Sequence, residues 1–214
     1  MEPEVVFYIH TFPVTQPLLF TWIIMAAVSI ACFFLTRNLK TVPRGAQHLL
    51  ELLVDGIENL VVGNMGPEGK KFVPLILTIA VYVGISNLIG VVPGAYSPTE
   101  NLNTTLTLAA IVFLVGHVAA IRKKGLWTWL KGFFQPYFFM FPINLAGEIS
   151  QVISHAFRLY GNVFGGGILL SIIYMVAPYV LPTPLLGWFG IFSGIIQTAV
   201  FTLLAVVYIQ IKIS

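Results

Sequence analysis

The chain has 214 residues, 57% of them hydrophobic and 9% charged, with a formal net charge of +3. A soluble domain carries about 25% charged residues, so composition excludes an ordinary soluble enzyme and indicates an integral membrane protein. So small a positive charge carries no argument for nucleic acid. The lone cysteine, Cys32 in an apolar run, builds neither a disulfide framework nor a metal site.

Residues 1–16 are short, mildly acidic and amphipathic, and Glu2 and Glu4 stand where a cleavable signal would carry basic residues. Residues 17–36 form the first predicted span. A cationic stretch follows, with Arg37, Lys40 and Arg44, and Pro43 reads as a helix-start signal. Over 46–62, Leu49, Leu50, Leu53, Ile57, Leu60 and Val61 recur at helical spacing, with Glu51, Asp55 and Glu58 on the other side. This segment is expected to lie at the membrane interface. A turn-rich connector ends in Lys70 and Lys71. Residues 72–92 form the second span, 93–103 a polar loop without Lys or Arg, and 104–121 the third span. Arg122, Lys123, Lys124 and Lys131 gather around Trp127 and Trp129 as an interfacial anchor.

An aromatic approach from Gln135 to Phe141 leads into 142–179, which reads as one unusually long helix. At about 1.5 Å per residue it far exceeds a hydrocarbon core of about 30 Å, so it must tilt, break or lie partly along the membrane. Pro178, Pro182 and Pro184 punctuate the turn before a final helix at 185–211. The expectation is a single all-α membrane domain of about five spans plus one interfacial helix, the last two spans forming a long tilted hairpin. All Lys and Arg outside the long helix fall at ends that the span count puts on one side. The positive-inside rule therefore predicts an outside N-terminus and a cytoplasmic C-terminus.

Arg158 alone departs from that distribution. No other Lys or Arg occurs between Lys131 and Lys212. Arginine stays protonated, and isolated in lipid it is expensive. On a helix, Asn144, Gly147, Gln151, Ser154, His155, Gly161, Asn162 and Gly165 fall within about 60° of it, one polar, small-residue face. The functional reading is a fixed cation facing an ion pathway and an acidic partner. The plainer reading is an ion pair with Glu148, which lies about 80° off that face. Asn162, Ser154 and His155 either serve Arg158 and a wet path or make ordinary interhelical hydrogen bonds. The same choice applies to Gln197 on the last helix. The glycines suit either close helix packing or a sliding contact. Glu148 and Glu51 are the acids expected nearest the cytoplasmic side, Glu51 on the polar face of its helix. Asn101 and Asn103 cap the third span or line an outer mouth, with capping the commoner use. There is no phosphate-binding glycine loop, no HExxH and no Cys/His metal spacing, so no cofactor and no catalysis on this chain alone are expected.

The stretch PINLAGEISQVISHAFRLYGN, with RLYGN at 158–162, resembles the RLFGN signature of the a subunit of F-type ATP synthases. The likeness extends to Gln197, to PTENLNTTL at 98–106 and to the order of spans. It implies a non-catalytic stator subunit in a bacterial plasma membrane, beside a c-ring rotor, a b-subunit peripheral stalk and the rest of the F1Fo complex. It also implies two offset aqueous half-channels for H⁺ or Na⁺, kept apart by Arg158. By the same resemblance Asn162 and Gln197 line the Arg158 neighbourhood, while Glu148 and Glu51 belong to the cytoplasmic half-channel. Many relatives place a carboxylate and a histidine toward the outer half-channel, where this chain has Gly167 and approximately Gly190. An outer path here must draw on water, Gln197, Asn162, Ser/Thr groups and the loop near Glu100. The competing readings are an autonomous secondary transporter with Arg158 binding an anionic substrate, and a purely structural scaffold. Transporters often show internal repeats, and none is evident.

Overall fold

Apolar runs dictate the frame. The computed structural model describes residues 5–9, 12–37, 45–92, 95–134, 137–177 and 182–214. Glu2, Glu4, Lys40, Pro43, Arg44, Gln135, Pro178 and Tyr179, all named above, lie outside the described residues. The chain begins with an antiparallel hairpin, β1 (Val5–Ile9) and β2 (Phe12–Thr15), pairing Phe7 with Val14 and Ile9 with Phe12. The β-branched and aromatic run Val5, Val6, Phe7, Tyr8 and Ile9 suits a strand.

Helix α1 (Gln16–Thr36) has Pro17 in its first turn, where a missing N–H costs nothing. Apart from Pro17 and Ile24 its residues are not buried, as suits a span surrounded by lipid. Helix α2 (Ala46–Met65) buries Val61 and leaves Leu49, Leu52 and Leu53 exposed. It stops at Gly66, whose φ of 71° is cheap for glycine and lets its N–H bond back to the Val62 carbonyl. A 3₁₀ turn, Pro67–Phe72, leads into α3 (Val73–Ile89).

A second 3₁₀ turn, Pro98–Glu100, precedes α4 (Leu102–Lys124). Asn101 caps α4, its side chain accepting from the Asn103 N–H at 2.9 Å. The short α5 (Leu126–Gly132) carries the exposed Trp127. Helix α6 (Phe141–Val176) then runs 36 residues as one α-helix. Of the three ways to fit so long a helix, breakage is excluded over that range. Helix α7 (Pro182–Leu186) continues through a π-helical turn, Gly187–Phe192, into α8 (Ser193–Ile213).

The protein is an all-α membrane protein apart from the small hairpin. Among the described residues five helices are long and apolar enough to cross a membrane, ending with Phe138–Val176 and Pro184–Ile213; α2 is not one of them. The core forms where α8 packs on α3, α4 and α6. Ile76, Val83, Val112, Leu159, Phe201 and Val206 are at most 1% exposed there. That packing fixes which side of α6 turns inward.

Candidate functional site

The inward side of α6 is a seam of His155, Ala156, Leu159 and Gly166, all buried. Arg158 precedes Leu159 by one residue and so stands about 100° around the helix from it. Gly147, Ser154, Arg158, Gly161 and Asn162 are exposed on that flank. Among the described residues, the acids in ion pairs are Glu58, Glu68 and Glu148, and Arg158 partners none of them. Glu148 pairs instead with Lys212 at the end of α8. Arg158 thus presents an uncompensated charge on a polar strip of α6.

A cavity opens on each side of Arg158 along the helix, at the edge between strip and seam. The first, of about 20 Å³, is lined by Gln151, His155, Tyr208 and Lys212 with apolar residues of α4. It has room for a water molecule. Lys212 is bonded to one oxygen of Glu148, and the other oxygen lies 3.6 Å from His117 Nε2. His117 Nδ1 reaches the Phe113 carbonyl at 3.0 Å. His155 stacks on Phe201 with ring centroids 3.9 Å apart, and neither ring nitrogen has a protein partner among the described residues. A buried imidazole without protein partners beside a water-sized space is suited to a wet path.

The second cavity, of about 50 Å³, has Glu100, Asn162 and Gln197 as its principal polar walls, with Gly167, Gly190 and Ser193 beside them. Asn162 donates its side-chain N–H to the Gln197 carbonyl oxygen, joining α6 to α8. Gln197 is 3% exposed, yet its own NH₂ has no partner among the described residues. The glycines are spatial requirements. A Cβ at Gly190 would sit 2.6 Å from Val91 Cγ2, and one at Gly166 would sit 3.3 Å from Phe189 Cβ.

Glu100 reaches this cavity because the Pro98–Glu100 turn is bonded down. Ser97 Oγ donates to the Ser86 carbonyl at 2.7 Å, and Thr99 Oγ1 donates to Asn87 Oδ1 at 2.9 Å. Asn87 in turn donates to Thr198 Oγ1 on α8 at 3.1 Å. Ser97, Thr99 and Asn87 are buried, so these bonds are costly to break. Burial pushes the Glu100 carboxyl above its ordinary value.

Asn162 thus meets Gln197 one turn of α6 from Arg158, His155 lines the other cavity, and Glu148 reaches that cavity only through its pairing with Lys212. Ser154 is exposed on the Arg158 strip. Glu51 accepts a hydrogen bond from Gln47 at 2.8 Å within α2, and Asn103 is exposed on the first turn of α4; neither lines either cavity. Sequence reasoning did not assign site roles to Lys212, His117 or Asn87. Lys212 reads from sequence as a span-terminating cation, and nothing in its spacing announces Glu148. Glu100 stood out only through its place in a cation-free loop that an outer path could draw on.

A family profile described as ATP synthase A chain matches residues 18–210. That range reaches from the first turn of α1 to the last turn of α8. The chain belongs to the ATP synthase subunit a family. A protein named ATP synthase subunit a from Geotalea uraniireducens (strain Rf4) is 43% identical over 195 residues, covering 89% of this chain and 84% of its own length. One of the same name from Moorella thermoacetica is 36% identical over 209 residues, covering 98% of this chain and 95% of its own. As a subunit a, the chain is part of the Fo sector of an F1Fo complex and serves ion transport.

Proposed function

We propose that this subunit a is the stator half of a rotary ion motor, in which Arg158 divides two half-paths serving a carboxylate on a c-ring. The observation that carries the reading is the unpaired Arg158 on an exposed polar strip of α6, with one cavity to each side. A fixed cation lowers the pKa of a carboxylate brought against it, so a rotor acid arriving at Arg158 sheds its ion. The same charge repels a cation trying to pass directly from one cavity to the other. Asn162 and Gln197, bonded together one turn from Arg158, set the height of the divider.

The distribution of Lys and Arg supports an outside N-terminus and a cytoplasmic C-terminus in a bacterial plasma membrane. The Lys212 cavity then opens toward the cytoplasm, with Glu148 and His155 in its path, Ser154 on the rotor side and Glu51 near its mouth. The Glu100 cavity opens outward, with Asn103 at the rim. The exposed glycines of α6 suit a surface that slides past the c-ring, and a b-subunit stalk would hold the stator still.

Arg158→Ala in the assembled complex, reconstituted into vesicles, is the test. ATP-driven ion pumping and ion-driven ATP synthesis are expected to disappear while the complex still assembles. Retained coupled pumping would overturn the reading, and so would ion transport by this chain purified without a c-ring.

A further inference from the structure

The Glu100 cavity contains a feature that the divider role leaves unused. Among the residues lining it, Glu100 alone is ionisable. Its Oε1 lies 3.8 Å from where a Cβ on Gly167 would stand, so the carboxylate lies against the space that this glycine leaves open. No described hydrogen bond or ion pair is made by that carboxylate, although its turn is anchored by Ser97 and Thr99. Independently, the buried Gln197 points an unpartnered NH₂ group from the wall of this cavity. Buried donors take partners, and an oxygen of water or of a carboxylate is what this one lacks.

We infer that Glu100 is the proton-exchanging group of the outer half-path, delivered by the α3–α4 loop rather than by a membrane helix. In the synthesis direction an O–H bond forms on the Glu100 carboxylate with a proton from outside water. It breaks again as the proton passes to cavity water beside Gln197 and onward to the rotor acid. The carboxylate is regenerated and nothing else is consumed. The cavity holds a few water molecules at its volume of about 50 Å³. Its free amide group is a donor, and the oxygens of Gln197 and Asn87 are already engaged.

The groups facing Glu100 from α3, α6, α7 and α8 in the cavity are uncharged. Tyr96 in the same loop is coupled to Glu100, pushed upward by burial, then by the Glu100 charge and then by Tyr160 of α6, and α4 carries no ionisable side chain before His117. Helix α1 offers no ionisable side chain but Cys32. Burial places Glu100 above the ordinary carboxylate range, closer to the pH at which an exchanging group is efficient.

The inference rests on the half-path reading, and the experiment separates the two. The assembled complex carrying Glu100→Gln, Glu100→Asp, or Glu100→Gln with Gly167→Asp is placed in vesicles, and initial rates are read against the pH of the outer-side compartment. Glu100→Gln is expected to slow pumping and synthesis by about a hundredfold, the lower end for a lost acid–base group. Glu100→Asp should keep most of the rate, and Gly167→Asp should restore part of it by returning a carboxylate to the same space. In the wild type, synthesis relative to Glu100→Gln should fall as outer pH rises through the Glu100 pKa, because the donor is lost. Pumping relative to the same variant should fall as outer pH drops through it, because the acceptor is lost. Unchanged rates and profiles in Glu100→Gln, while Arg158→Ala abolishes pumping, overturn this inference alone. If Arg158→Ala still pumps, the reading beneath it falls. Should Glu100→Gln not assemble, an Asp variant with a shifted profile supports the inference and one with an unshifted profile overturns it. Rates set by Na⁺ at fixed pH overturn the proton assignment.

Discussion

The two cavities share α6 and α8, yet they hold charge in opposite ways. Beside the Lys212 cavity, Glu148 is clamped between Lys212 and His117, and its cation comes from the far end of another helix. In the Glu100 cavity a single carboxylate faces amides, a hydroxyl and glycines. A paired acid keeps its geometry and adds a local dipole. An unpaired acid is free to gain and lose a proton. One protein therefore builds two unlike cavities along the same hairpin, and the difference follows from which element delivers the carboxylate.

Changing Arg158 gives the largest expected effect, because on the proposed reading it is what keeps the two regions separate. Glu100→Gln comes next and touches one region only. Third is Lys212→Met, which leaves Glu148, only 17% exposed, with His117 Nε2 at 3.6 Å as its remaining side-chain neighbour. Breaking such a pair costs roughly 3 kcal/mol, read as a lower thermal midpoint of the purified complex. Adding Glu148→Gln should recover most of that loss, since removing both partners leaves no stranded charge. A double variant no better than the single one would show that the clamp is not what stabilises this region.

Gly190→Ala forces a methyl to within 2.6 Å of Val91 Cγ2, and overpacking of this kind costs about 1–3 kcal/mol. Gly167→Ala is the control and the smallest effect. Its methyl would meet Glu100 Oε1 at 3.8 Å, an ordinary contact, so no measurable change in thermal midpoint is expected. Equal losses at the two glycines would mean that the second cavity is more crowded than its walls indicate.

Much of this was legible in the chain. Long apolar runs and three prolines place the last two helices, and the solitary Arg158 marks its strip because an unneutralised cation in lipid demands a reason. Periodicity also placed Asn162 on that strip. It could not place partners. Whether Glu148 meets Arg158 or Lys212 depends on how α8 lies across α6, a relation that one helix's spacing does not encode. Glu100 was harder still. Its direction is decided by two hydroxyls, Ser97 and Thr99, meeting Ser86 and Asn87 across a tight connection. Such short polar bonds leave no periodic trace. The opening hairpin was missed because its few residues read as amphipathic without a turn signal to identify strands.

The anchor of the Pro98–Glu100 turn has a mechanical side. Its hydrogen bonds run to α3 and, through Asn87, to α8; none of them ends on α6. On the proposed reading a rotating neighbour would load α6 sideways with every step. The turn packs against α6 as well as α3, yet the hydrogen bonds that seat it belong to other beams of the frame. The directional part of the proposed valve's mounting would then be the part this thrust does not load directly.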